Sequence, residues 1–167
     1  MSMNLGDLVI ARAELGDVDG IVALAESNAP GRGGQLSVGL TAAEVSAVIR
    51  DLPVIVARRK HAVIGFLIAR EKGANAPAIV RAMLEEYPGT QDSYSYGPVC
   101  VDQAARGQGL AGMMFAELRR LLPGREGILF IKASNEPSLR AHRKMGMREV
   151  GTFVFEGTPL VILAYQG

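Results

Sequence analysis

The segment Val99-Cys100-Val101-Asp102-Gln103-Ala104-Ala105-Arg106-Gly107-Gln108-Gly109-Leu110-Ala111 constrains this chain more than any other stretch. Apolar residues run into a loop carrying two glycines, and Leu110, Met114, Leu118 and Leu121 then recur at helical spacing. The pattern predicts a strand, a tight loop and a long helix over 107–122, stopped by Pro123-Gly124. The first amides of a helix have no acceptor within it, and the helix dipole adds partial positive charge beside them. Gly107 and Gly109 let the backbone take positive φ and come close to an anion. A phosphate or pyrophosphate group suits such a loop.

The 167 residues match one ordinary domain over 1–167, and neither an internal repeat nor a linker divides them. With 49% hydrophobic and 21% charged residues, the chain can build a sizeable core, which excludes disorder for most of it. A net charge of +1 and the lack of a basic stripe with interleaved aromatics argue against a nucleic-acid partner. The longest apolar runs are strand length, so no membrane span is expected. The one cysteine, Cys100, cannot form an internal disulfide and disfavours a metal–thiolate site, and no metal is expected. With no signal-like start, the expected location is cytoplasmic.

Periodicity and turn chemistry predict the remaining elements. Residues 8–12 read as a strand, and Asp17 as the N-cap or first-turn residue of a helix to Ser27. The stretch 28–39 is a glycine-rich loop carrying Arg32. Thr41 and Glu44 form a capping box that opens a helix ending near Asp51. Strands over 54–58 and 62–70 make a hairpin around Arg59-Lys60-His61, with His61 a surface residue. A short helix over 78–87 precedes a strand over 94–101, in which Pro98 suggests a bulge or interrupted edge. A strand over 128–133, a helix over 137–145 and two closing strands over 149–155 and 160–165 complete the chain. The expected fold is α/β (α+β): a mixed, largely antiparallel sheet with helices on both faces. Its parallel pair joins strands 94–101 and 128–133 through the long helix.

Two familiar phosphate loops fit poorly. Gly107 to Gly112 spells G-x-G-x-x-G, but the next strand runs into Lys132-Ala133-Ser134-Asn135 with no acid for a dinucleotide ribose. A Walker A loop would need Gly-Lys-Ser/Thr, which is absent. Arg106-x-x-Gly109-x-Ala111, led by Val101, resembles the acetyl-CoA loop of the GCN5-related N-acetyltransferase (GNAT) superfamily. The segment Asn135-x-x-Ser138-x-x-Ala141-His142-x-Lys144-x-Gly146-Met147 is similar to a second motif of that family, and the element order agrees along nearly the whole chain.

The resemblance implies a pyrophosphate held on the backbone of Arg106, Gly107, Gln108, Gly109, Leu110 and Ala111, with the Arg106 side chain either on phosphate or in solvent. It implies a pantetheine arm pairing with Val99, Cys100 and Val101 where the parallel strands splay, and contacts from Asn135. Ser138 stands where the family often has alanine. His142 replaces a tyrosine that the family places to protonate the departing thiolate; it is either that acid or a half-exposed helix residue. For the base the stretch offers Asp92, Tyr94 and Tyr96, with Glu71 as another candidate. The two tyrosines share a strand face, and either line the cleft or pack with their hydroxyls in water.

The implied function is a GNAT-type N-acetyltransferase passing acetyl from acetyl-CoA directly to a primary amine, on a small molecule or a peptide N-terminus. A non-catalytic acyl-CoA sensor of the same fold is the alternative, and a dinucleotide binder is a third. The segment 73–91 could lid the acceptor cleft or contact a second copy, and the closing strands could pair across a homodimer.

Overall fold

The computed structural model describes residues 7–28, 40–73 and 75–167. The expected loop at 29–39, with Arg32, lies outside them. The described elements are β1 (Leu8–Arg12), α1 (Val18–Ser27), α2 (Ala42–Asp51), β2 (Ile55–Arg59), β3 (Ala62–Glu71), α3 (Ala78–Glu86), β4 (Tyr94–Val101), α4 (Leu110–Leu121), β5 (Glu126–Lys132), α5 (Glu136–Lys144), β6 (Arg148–Phe155) and β7 (Thr158–Gln166). The strands are ordered β1-β2-β3-β4-β5-β7-β6, with β4 and β5 parallel. No helix among the described residues is long and apolar enough to cross a membrane.

The chain divides into two compact units. The first holds residues up to Ala69 together with Gly97–Leu121. Here β2 pairs antiparallel with β1 and with β3. Alternation along the strands sends Val54, Val56, Phe66, Ile68 and Cys100 into one core with Ile21 and Leu24 of α1 and Val45 and Ile49 of α2. The opposite face receives α4. A Cβ at Gly65 would lie 3.2 Å from the Met114 methyl, so the missing side chain lets that helix settle on the sheet. The Thr41–Glu44 capping box forms as expected, each side chain accepting from the other residue's amide.

The second unit holds Arg70–Tyr96 and Leu122–Gly167. β7 lies between β5 and β6, antiparallel to both. The 73–91 segment is built into this unit's core: Val80 and Met83 of α3 pack with Ile128 and Ile162. The other face carries Tyr165, whose ring lies across Gly127. A Cβ there would sit 2.2 Å from the ring, so no other residue fits without moving it. The registered parallel pairs are Tyr94–Gly127 and Ser95–Ile128, although β4 runs on to Val101 and β5 to Lys132.

Boundaries differ from expectation where backbone conformation overrides apolar spacing. α4 begins at Leu110 rather than Gly107, because Gly107 and Gly109 sit at φ +77° and +76°, outside the right-handed helical region. A 3-10 turn over Gln103–Ala105 precedes the loop. Pro98 follows a cis peptide bond within β4.

Candidate active site

The loop after β4 is built from the strand outward. The Asp102 amide donates to the Ile64 carbonyl at 2.8 Å, and its carboxylate caps the Ala104 amide at 3.2 Å, which turns the chain off the strand. The two left-handed glycines follow, with open space where their side chains would be. The Met113 amide donates to the Gly109 carbonyl at 3.1 Å, starting α4. The amides of Leu110, Ala111 and Gly112 therefore come before the first α-helical bond. No acidic residue stands in the first turn to repel an anion, while Arg119 and Arg120 sit at the negative end of the dipole.

Arg106 is exposed, but its side chain is also hydrogen-bonded within the protein. Its Nη2 donates to Asn28 Oδ1 at 2.6 Å and its Nε to the Val101 carbonyl at 3.2 Å, tying the loop to the C-cap of α1 and the end of β4. Sequence reasoning missed a second cation at the loop: Arg59, at the end of β2, donates from Nη2 to Gln108 Oε1 at 3.0 Å. Its neighbour Arg58 is held by the Asp17 carboxylate in a two-pronged ion pair, at 2.7 Å and 2.5 Å. Asp17 therefore spends its carboxylate on Arg58 and on the Glu14 amide instead of capping α1.

Val99 and Val101 are half-buried on β4, and Cys100 between them joins the apolar core of the first unit. Burial pushes the Cys100 thiol up to about 11, so it is protonated at neutral pH and is no nucleophile.

In the second unit, Asn135 caps α5 by accepting the Ser138 amide at 3.4 Å. Ser138 in turn orients His142. The imidazole Nδ1 lies 2.8 Å from the Ser138 carbonyl, which can only accept, so Nδ1 carries the proton. Nε2 is then the acceptor, and the Tyr96 hydroxyl donates to it at 3.1 Å. The two rings meet edge to face, 5.6 Å between centroids, and Tyr96 meets Tyr165 the same way at 5.9 Å. His142 is 4% exposed and Tyr96 5%, so neither the half-exposed histidine nor the wet hydroxyl of the sequence reading holds. Tyr94 is also buried, with its hydroxyl on that of Tyr165. Burial holds the His142 pKa below its ordinary value, against the bond to the Ser138 carbonyl, and keeps the ring neutral at pH 7. Burial, with Tyr94 adding to it, raises the Tyr96 phenol far above the usual range.

The two carboxylates offered for the base are both engaged by neighbours. Asp92 is exposed in a turn, accepting from the Thr90 hydroxyl at 3.1 Å. Glu71 pairs with Arg125 at 3.2 Å. A third carboxylate gave no sequence signal: Glu126 is 3% exposed, and it accepts from the Tyr87 hydroxyl and the Thr90 amide, both at 2.9 Å. Its contacts pin the 87–90 turn to β5. Among the described residues no group of histidine, cysteine and carboxylate side chains could hold a metal ion.

A strand, a two-glycine loop and a following helix in this strand order make up an acetyltransferase-type fold. Residues 35–147 match the acetyltransferase (GNAT) family, and the chain belongs to that family. An N-acetyltransferase from Staphylococcus aureus Mu50 superposes with a TM-score of 0.69 at 21% identity, covering 95% of this chain and 98% of the other. YncA from Salmonella typhimurium, solved with its cofactor acetyl-CoA, gives 0.70 at 17% identity over 95% and 93%. A ribosomal-protein-alanine N-acetyltransferase from Brucella melitensis gives 0.66 at 24% over 95% and 99%. No curated protein matches the sequence.

Proposed function

We propose that the chain, acting as one domain over 1–167, takes acetyl-CoA as donor and transfers its acetyl group directly to a primary amine. The observation that carries this reading is the loop itself: two left-handed glycines feeding a helix whose first turn lacks any acid, in a chain of the GNAT family. The backbone of residues 106–111 holds the pyrophosphate, and Ala111 leaves the first turn open. Val99, Cys100 and Val101 offer their backbone to the pantetheine arm, which the short β4–β5 ladder supports, ending as it does at Ser95–Ile128. Asn135 and Ser138 serve the arm second to their work in capping α5 and orienting His142.

Transfer needs one proton to leave the amine and one to reach the thiolate. A neutral, buried His142 is no acid at pH 7, so its role is to accept. The amine nitrogen attacks the thioester carbonyl, and its proton passes to the Tyr96 oxygen as the Tyr96 proton moves to His142 Nε2. Collapse breaks the carbon–sulfur bond and returns the proton along the same pair to the CoA sulfur. No covalent enzyme intermediate forms, in keeping with the protonated Cys100. Asp92, exposed and bonded to Thr90, stays outside this relay. The acceptor is a small-molecule amine or a peptide N-terminus, a range that includes the protein alanine in the name of the Brucella relative. The reaction proceeds in the cytoplasm and needs no metal.

Calorimetric titration with acetyl-CoA, CoA and NADPH side by side tests the donor. Saturable acetyl-CoA binding without NADPH binding is expected, followed by thiol release against a panel of amines and peptides. Failure to bind any CoA species overturns the reading, and binding without turnover on any amine reduces the chain to a sensor.

A further inference from the structure

We propose that Arg59, a residue outside both family motifs, supplies the side-chain cation that grips the pyrophosphate of the acyl donor. The inference rests on the acyl-CoA reading of the loop. It begins with the four cationic or titratable residues that end β2 and turn into β3: Arg58, Arg59, Lys60 and His61. Arg58 is spent on Asp17. Lys60 and His61 occupy the turn itself, at φ +51° and +71°, and are exposed. Arg59 alone reaches the loop, and it reaches the side chain of Gln108, the residue between the two left-handed glycines.

Three features fit this bond to anion binding. Gln108 Oε1 is a neutral acceptor, so it orients the guanidinium without neutralising it. Among the described residues no carboxylate pairs with Arg59. The guanidinium has five N–H donors in a fixed fork, and the bond to Gln108 uses one at Nη2, leaving others for phosphate oxygens. The loop's own arginine, Arg106, is exposed and uses two of its donors on neutral acceptors, Asn28 and the Val101 carbonyl, so Arg59 adds a second cation to the loop. The neighbouring hairpin thus adds an oriented cation beside the loop's own arginine. Backbone amides and one oriented arginine together would bind a doubly charged pyrophosphate more tightly than the amides alone.

The test compares Arg59→Gln with the wild-type protein by calorimetry, using CoA, 3′-dephospho-CoA and pantetheine. The expected result is a roughly tenfold weaker Kd for CoA and for 3′-dephospho-CoA, with pantetheine, which has no phosphate, unaffected. Gln108→Leu should weaken CoA binding less, and adding it to Arg59→Gln should cost nothing more, since it acts through the arginine. Equal CoA binding by wild type and Arg59→Gln overturns the proposal and leaves the acyl-CoA reading standing. A loss confined to CoA overturns the pyrophosphate assignment in favour of the 3′-phosphate. An equal loss on pantetheine overturns it as a structural effect. No CoA binding by the wild type overturns both readings.

Discussion

The Tyr96 hydroxyl donates to His142 Nε2 at 3.1 Å, across 46 residues of sequence, and the Ser138 carbonyl fixes the tautomer that makes this possible. Both residues are buried, where a lost hydrogen bond is not readily replaced by water.

Replacing one partner should therefore cost more than replacing both. His142→Phe takes the Nε2 acceptor away from the buried Tyr96 hydroxyl and should lose about 1–3 kcal/mol of stability. Tyr96→Phe with His142→Phe should recover part of that loss, while acetyl transfer stays low in all variants. Urea denaturation alongside a thiol-release assay reads both effects. A double variant that regains activity would remove the proton relay from the mechanism.

Stability should fall in two separate pH windows. Burial lowers the His142 pKa from its ordinary 6.5, so below that pH the unfolded chain binds a proton the native chain refuses. Unfolding then takes up protons, and stability declines as pH falls from about 6.5 toward the native value. The Arg58 hydrogen bond holds Asp17 below its ordinary 3.8, so its contribution persists above that value and disappears only as pH falls through the lower native pKa. Denaturation midpoints from pH 8 to pH 3 should show both steps in the wild type and only the acidic one in His142→Phe.

Asp17→Ala should destabilise the first unit by about 2–3 kcal/mol, because it strips a partly buried Arg58 of its partner and the Glu14 amide of its acceptor. Adding Arg58→Met should recover much of that, since an apolar chain of similar length leaves no charge unpaired. Thermal melts of the single and double variants decide it.

Gly109→Ala meets no neighbouring atom, so its cost is confined to the left-handed backbone, about 1–2 kcal/mol. If the loop relaxes instead of paying that strain, acetyl-CoA affinity should fall further than stability does. Calorimetry and a melt on the same sample separate the two.

Cys100, buried and with its thiol pushed up to about 11, should resist alkylation at pH 7.5 until the protein is unfolded. Mass spectrometry after iodoacetamide treatment, with and without urea, checks this. Rapid labelling of the native protein would mean that β4 is more accessible than its packing indicates.

What could be read from sequence was local. The Thr41–Glu44 capping box, the 94–101 strand, the glycine loop and the Asn135-led helix each rest on residues within a few positions of one another, so spacing and turn chemistry suffice. Apolar period alone starts α4 three residues too early because it is blind to φ, and the two glycines decide where right-handed geometry begins. The pairs that define the site's chemistry are of another kind. Arg58 meets Asp17 across 41 residues, Arg59 meets Gln108 across 49, and Tyr96 meets His142 across 46. Their encounters depend on strand register, on which face each side chain leaves, and on Gly127 yielding room to Tyr165. The sequence by itself determined the elements and the glycine loop, because those follow from near-neighbour sterics and periodic burial. Only the tertiary structure decided that Arg106 ties the loop to α1, that Arg59 meets Gln108 and that His142 is a neutral acceptor. Burial and hydrogen-bond partners set those roles, and both come from residues far apart in the chain.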